Sequence, residues 1–105
     1  MNSLKDRARA FEALYACQQE HEFIINMKAC QILAKRIAEE KLNLKPRSIK
    51  RYCDKVLSIS VRHCGTDAMF KYIQARLKKN NINMFDRELR SQYLKAVSEA
   101  KSIWQ

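Results

Sequence analysis

The chain contains very few residues that end a helix. Its 105 residues include one glycine and one proline, and no Gly or Pro occurs from Leu4 to Lys41. Ala, Leu, Lys, Arg, Gln and Glu are plentiful, and all of them rank high in helix propensity. A chain of this length builds one small core and forms a single domain by the usual size relation. The sequence therefore predicts a small all-α protein.

Apolar residues recur at helical spacing in four segments, of which the first is the longest. We therefore expect a small four-helix bundle with a long or broken first helix, whose N-terminal segment we expect to be mobile. The core-facing residues predicted from the spacing are Phe23, Met27, Cys30, Ala34 and Ile37, widened by Ile24, Ile32 and Leu33, then Ile49, Tyr52, Cys53, Val56 and Leu57, then Met69, Phe70, Ile73 and Leu77, and finally Phe85, Leu89, Tyr93, Ala96, Val97, Ala100 and Trp104.

Three short stretches are predicted to separate the helices. LNLKP (42–46) ends the first segment, because its proline cannot continue a helix but suits the first turn of the next. SVRHCGT (60–66) contains the only glycine, and Thr66 is a suitable N-cap. In the third stretch, NNIN (80–83), Asn80 is predicted to adopt a left-handed backbone conformation, and Asn83 is predicted to cap the fourth helix.

The N-terminal stretch DRARAFEALYA (6–16) has a narrow apolar face of its own. The polar run QQEHE (18–22), interpreted as a turn, separates it from the broader face that follows. The stretch could pack on the bundle as a short amphipathic helix, or it could detach and dock in a partner's groove. We expect two regions, residues 1–18 and the helical bundle of residues 19–105. The narrow face consists of Leu4, Ala8, Phe11 and Tyr15.

The titratable residues form no recognisable catalytic arrangement. His63 and Cys64 are adjacent, so their side chains diverge and cannot form a nucleophile–base pair, and His21 lies in the polar run. Glu39 and Glu40 are neighbours that point to different helix faces. Gly-rich phosphate loops and metal-binding motifs are missing from the sequence. We expect no catalytic residue, no metal site and no enzymatic activity.

The four cysteines are widely spaced and include no CxxC pair. Cys30 and Cys53 fall on apolar helical stripes and are interpreted as small core residues in a reducing compartment. No stretch has the length and hydropathy of a signal peptide or a membrane span. The expected protein is cytoplasmic and does not insert into membranes.

The formal charge of +10 suits phosphate backbones, acidic proteins or anionic surfaces as partners, although a solvated lysine-rich surface explains it equally. Four cations of the second helix form the basic ridge, a candidate docking surface that could also follow a phosphate backbone. An alternative function is therefore a basic helical protein that binds nucleic acid, although the sequence shows no helix-turn-helix or RNA-binding signature. The basic ridge consists of Arg47, Lys50, Arg51 and Lys55.

The opening stretch resembles that of the zeta subunit, a small inhibitor of ATP hydrolysis in alphaproteobacterial F-type ATP synthases. Similar pieces follow in the same order: AEEKLNL (38–44), YCDKVL (52–57) and GTDAMFKYI (65–73). The resemblance extends over almost the whole chain. Within the opening stretch it is carried by Asp6, Arg7, Arg9, Ala10, Phe11, Glu12, Tyr15 and Ala16.

The resemblance implies a four-helix fold whose residues 1–18 wedge between the catalytic subunits and the central stalk of the ATP synthase head. The free protein is then expected to be a monomer, and the bound one to lie at the cytoplasmic face of the inner membrane. No cofactor is expected, and weak adenine-nucleotide binding stays open. The partner-binding residues would be Leu4, Asp6, Arg7, Arg9, Phe11, Glu12 and Tyr15.

Three features depart from the family pattern. Members are acidic and usually carry Asp-Phe-Glu-Glu before the glycine, whereas SISVRH (58–63), interpreted as a loop, contains no acid. A family glycine is replaced by Asn43, and a Trp-containing stretch by AKRIA (34–38).

Overall fold

The structure, a computed structural model, describes residues 21–63 and 66–104, with the side chain of Trp104 excepted. Helix α1 covers residues 21–36 and continues into the π-helical turn Ile37–Lys41. Helix α2 is Pro46–Arg62, α3 is Asp67–Lys79 and α4 is Asp86–Trp104. These residues contain no strand, which confirms the predicted all-α fold with four helices.

Side chains from all four helices form one core. Helix α1 contributes Ala29, Leu33 and Ala34, which are fully buried, and it contacts both α2 and α4. The aromatic pair Phe70 and Tyr93 joins α3 to α4 with ring centroids 5.6 Å apart in an edge-to-face arrangement. The largest fully buried side chains are Leu33, Ile37, Met69, Ile73, Leu77, Leu89, Val56 and Cys30.

An ion pair also links the first and last helices. Nη2 of Arg36 lies 2.6 and 2.5 Å from the two carboxylate oxygens of Glu99. The hydrogen bond from this guanidinium lowers the pKa of the Glu99 carboxyl. Both side chains are partly exposed, so we expect the pair to fix the arrangement of α1 and α4 more than to stabilise the fold.

Most of the predicted core is confirmed. All four apolar residues predicted for α3 are buried, and the α2 residues predicted for the core are buried or half-buried. Phe23 and Phe85 are corrections, because 51% and 75% of their surfaces are exposed. On α1 the core face is centred on Ile25 and Ala29 instead, which turns Phe23 outward. Phe85 immediately precedes α4, where its carbonyl accepts the Leu89 N–H at 3.1 Å, and its side chain is exposed.

Several helix ends also differ from the prediction. His21 and Glu22 belong to α1 and not to a polar turn. SISVRH is not a loop, because α2 continues to Arg62 and only His63 of this stretch lies in a turn. No glycine or proline occurs from Arg47 to Cys64, so the sequence contains no residue that would end α2 before His63. Gly65 and Cys64 lie outside the described residues.

The residues that cap α3 and α4 also differ in part from the prediction. Thr66 occupies the N-cap of α3 as predicted, and its carbonyl accepts the Phe70 N–H at 2.8 Å, but its side chain makes no capping hydrogen bond. The left-handed residue after α3 is Asn81, with φ of 60°, and not Asn80, with φ of −100°. Because α4 begins three residues after Asn83, that residue does not cap it.

The connection between α1 and α2 depends on a left-handed residue. Asn43 has φ of 50°, a conformation that Gly adopts freely and Asn tolerates better than other residues. On either side of it, the Leu42 N–H donates to the Ile37 carbonyl and the Leu44 N–H to the Ala38 carbonyl, each at 3.0 Å. The glycine that the family resemblance places at position 43 is therefore replaced by a residue that still accepts this backbone conformation.

The Asn43 conformation generates a stability prediction. Asn43→Ala should lower the free energy of unfolding by about 1 kcal/mol. Alanine has the Cβ that disfavours positive φ but lacks the polar side chain that lets Asn tolerate it. Asn43→Gly should retain most of the stability, since Gly adopts this conformation without a steric cost. Urea denaturation followed by circular dichroism measures both. Equal losses in the two variants would mean that the left-handed conformation does not limit stability.

Tyr93 generates a pH prediction. Its hydroxyl donates to Oδ1 of Asn26 at 3.2 Å, and burial raises its pKa from 10.0 to about 12. The neutral phenol is thus favoured by folding, so its contribution is complete below pH 10 and disappears as the pH rises toward 12. Denaturant titrations across this range should show a smaller loss of stability in Tyr93→Phe than in the unchanged protein. An identical pH dependence of the two proteins would contradict the assignment.

Candidate functional site

The structure tests only part of the sequence-predicted site. The partner-binding residues of the N-terminal stretch lie outside the described residues, and so does the proposed region 1–18 that contains them. The basic ridge is described in full. The residues outside the description are Leu4, Asp6, Arg7, Arg9, Phe11, Glu12 and Tyr15.

The described thiols are structural. Cys30 is buried, and its S–H donates to the Ser60 hydroxyl at 3.4 Å across the α1–α2 contact. Burial raises the pKa of Cys30, and burial also raises that of the half-buried Cys53, so both sulfurs stay protonated and unreactive near neutral pH. This confirms their interpretation as small core residues. Within residues 21–63 and 66–104, no group of His, Cys, Asp or Glu could hold a metal ion.

The structure divides the basic ridge into two parts. All four of its cations are exposed on α2, but only Arg51 and Lys55, one helical turn apart, face α3. Arg47 and Lys50 lie outside the groove that these two residues line. Tyr52, predicted to be a core residue and not a base-stacking platform, is 95% buried, which confirms that interpretation.

The space between α2 and α3 is the α2–α3 groove, with a volume of about 390 Å³. Arg76 of α3 faces the two ridge cations across it. The rings of Tyr52 and Tyr72 lie in its wall, with centroids 6.0 Å apart. The lining residues are Leu44, Ser48, Arg51, Tyr52, Lys55, Tyr72 and Arg76.

Tyr52 carries the one buried side-chain polar atom, among the described residues, that has no hydrogen-bond partner. Burial raises the pKa of this phenol, the neighbouring Tyr72 adds to the effect, and the positive charge of Arg76 opposes it. The phenol is therefore neutral near pH 7. An unpaired buried hydroxyl costs about 1–3 kcal/mol, so this position is not explained by packing alone.

A second surface lies between α1 and α2, where two adjoining clefts share Met27 and Val61. Their volumes are about 450 and 220 Å³. Phe23 lines the smaller cleft and Leu57 the larger one. We call this surface the α1–α2 clefts. Sequence reasoning missed it, because the helical spacing assigned Phe23 to the core and only the register of α1 against its neighbours turns that ring outward.

None of the described helices has the combination of length and hydropathy needed to cross a membrane.

Comparison with known protein families gives a match over almost the whole chain. A family model described as ATPase inhibitor subunit zeta matches residues 1–102, which is nearly the whole chain and includes the N-terminal stretch. No curated protein and no solved structure matches the chain.

The exposure of Phe23 generates a paired prediction. Phe23→Ser should change the free energy of unfolding by less than about 1 kcal/mol, because half of the ring is already in water. Ile25→Ser, two residues further along α1 at a position that is 97% buried, should cost about 3 kcal/mol or more. Thermal and urea unfolding of both variants measure the contrast. If Phe23→Ser lowered the free energy of unfolding as much as Ile25→Ser, Phe23 would be a core residue after all.

Proposed function

Because the chain belongs to the ATPase inhibitor subunit zeta family, we propose that it inhibits ATP hydrolysis by an F-type ATP synthase and that residues 1–18 are the inhibitory element. The observation that carries the proposal is the extent of the family match, which spans the N-terminal stretch and the bundle together. The wedge position of residues 1–18, between the catalytic subunits and the central stalk, is implied by the family resemblance of DRARAFEALYA.

The described residues form a core of their own, which is compatible with a division of the chain at about residue 18. Buried apolar residues form one cluster from Ile25 to Ala100, drawn from all four helices. A bundle with such a core can keep its fold while a preceding stretch contacts another protein. We therefore propose residues 1–18 as the inhibitory segment and residues 19–105 as the bundle that holds it in place.

Inhibition of this kind is steric and needs no catalytic group on the inhibitor. A helix that fills a groove between subunits prevents the closure that ATP hydrolysis requires, and rotation in the synthesis direction would expel it. In the helix-in-groove mode, apolar anchors supply most of the affinity, and charged neighbours select the position. We assign the anchor role to Phe11 and Tyr15, with Leu4 extending their face.

The remaining residues of the segment provide the polar contacts. Arg7 and Arg9 can make charge-assisted hydrogen bonds to carboxylates of the partner, and Asp6 and Glu12 can accept them. The partners are the catalytic subunits and the central stalk, and the complex would lie at the cytoplasmic face of the inner membrane. The free protein acts as a monomer in this proposal.

The bundle supplies a second, external contact. The net charge of +10 and the exposed basic ridge favour an acidic docking surface on the ATP synthase head, with an association rate that falls as salt is added. Phe23, exposed near the beginning of the described part of α1 and five residues after position 18 in the sequence, offers an apolar contact. Together these contacts would hold the wedge at a high local concentration near its groove.

The sharpest test is Phe11→Ala in the full-length protein. Hydrolysis of ATP by the cognate purified F-type ATPase is measured against increasing inhibitor, with Phe85→Ala as the matched control, because Phe85 is exposed and lies outside the segment. Removal of a buried anchor should raise the half-inhibitory concentration by about tenfold or more, whereas the control should leave it within about twofold. Helical circular dichroism should be the same for both variants.

Two outcomes would contradict the proposal. A collapse of the helical signal in Phe11→Ala would place Phe11 in the core of the bundle. Inhibition by a protein that begins at Cys17, equal to that of the full-length form, would move the inhibitory surface to the bundle.

Nucleic-acid binding through the exposed basic ridge is the alternative function. None of its four cations has an acidic partner within 4.0 Å among the described residues. Binding through phosphates should weaken steeply between low and physiological salt, with a slope set by the number of contacts. Retention on duplex DNA that is unchanged by loss of residues 1–16, together with no effect on ATP hydrolysis, would favour this alternative over inhibition.

A further inference from the structure

The α1–α2 and α3–α4 connections lie at the same end of the bundle, which we call the bundle tip. Helix α2 begins where α3 ends, because Leu44 lines the α2–α3 groove together with Arg76. Helix α4 begins beside the same half of α3, since the Gln74 amide of α3 contacts Met84 and Asp86. The bundle tip consists of residues 41–47 and 78–85.

The bundle tip is strongly basic. Residues 41–53 and 68–85 contain no acidic residue. Glu39 and Glu40, just before the first range, interact with cations of the preceding turn of α1. Neither of the ion pairs found among the described residues includes a cation of the tip, so this end of the bundle has a raised positive potential. Its exposed cations are Lys41, Lys45, Arg47, Lys78 and Lys79.

Helix stability does not account for the cations at the beginning of α2. Lys45 is the residue before the helix, Arg47 lies in its first turn, and this turn contains no acidic residue. A positive charge at this end of a helix is unfavourable, because the helix dipole favours negative charge there. Lys78 and Lys79, in the last turn of α3, have the favourable arrangement. A contact outside the chain therefore explains Lys45 and Arg47 better than folding does.

The bundle tip also exposes a large apolar side chain. Phe85 is 75% exposed, although both of its neighbours in the sequence are held in place. Met84 is buried, and its carbonyl accepts a hydrogen bond from Nε2 of Gln74 at 3.3 Å. The same amide donates to Oδ1 of Asp86. The backbone on both sides thus fixes Phe85 in a position where its ring faces water.

This combination of cations and an exposed ring indicates the class of partner. Clusters of Lys and Arg are attracted to anionic lipid headgroups, and aromatic side chains on such a surface can enter the boundary between headgroups and acyl chains. A single nucleic-acid strand is typically bound by several aromatic rings along a charged groove. The described tip exposes one aromatic ring, Phe85, so an anionic bilayer fits it better.

We propose that the bundle tip binds the surface of an anionic lipid bilayer, with its five exposed cations against the headgroups and Phe85 in the boundary beneath them. The contact is peripheral and is made by side chains, since none of the described helices can cross a membrane. This interaction goes beyond inhibition of the ATP synthase. It would concentrate the chain at the membrane that carries the enzyme.

The experiment is co-sedimentation of the full-length chain with vesicles of equal parts phosphatidylcholine and phosphatidylglycerol, compared with vesicles of phosphatidylcholine alone. Lys45→Gln/Lys78→Gln removes one cation from each connection. Lys28→Gln/Lys101→Gln is the matched control, because it removes the same charge from exposed positions outside the tip. Affinity for the anionic vesicles should fall about tenfold or more in the first variant and less than about threefold in the control. Equal losses, or equal binding to both kinds of vesicle, would overturn the proposal.

Phe85→Ser tests the apolar part of the contact, with Leu94→Ser as its control. Both side chains are mainly exposed and both belong to the same region of sequence, but Leu94 lies outside the tip. Phe85→Ser should weaken vesicle binding several-fold and Leu94→Ser should not, whereas the melting temperatures of the two variants should match. Phe85→Trp should show a blue shift of its fluorescence on anionic vesicles that the unchanged protein, with Trp104 as its one tryptophan, does not show.

Duplex DNA at the same ionic strength distinguishes a bilayer from other polyanions. Tighter binding to the anionic vesicles, with a dependence on Phe85 that DNA binding lacks, supports the proposal. Equally tight binding to DNA, together with unchanged vesicle affinity in Phe85→Ser, would make the tip a general polyanion surface and overturn it. These assays contain no ATPase, and inhibition is measured with the purified enzyme, so failure of either proposal leaves the other intact.

Discussion

The architecture depends on the burial of one face of α1. Ala29, Ala34 and Ala38 are fully buried on that helix, and small side chains let neighbouring helices approach closely. Helix α2 approaches at Cys30, through the contact with Ser60, and α4 approaches through Asn26 and Arg36. Because α3 packs on α2 and on α4, the placement of every other helix follows from this face. A substitution there would displace the α2–α3 groove as well as the core.

The same packing leaves two groups of side chains outside the core, the basic ridge and Phe23. Helix α2 buries Tyr52 and Val56 on one side and exposes the basic ridge on the other, so its cations can be varied at little cost in stability. Phe23 is likewise outside the core. A bundle whose core is formed without these side chains can expose a charged groove, and substitutions on that surface need not destabilise the fold.

Periodicity predicted the core of α3 and the break at Pro46 correctly, because both are local properties of the chain. It failed at Phe23 and Phe85, which are apolar and lie near the right faces, because the exact register of a helix against its neighbours is a tertiary property. The Arg36–Glu99 pair joins positions 63 residues apart, and no spacing rule predicts it. Of the groove cations, Arg51 and Lys55 were predicted as part of the basic ridge of α2. Arg76 was not predicted, because only the packing of α3 against α2 brings it to the groove.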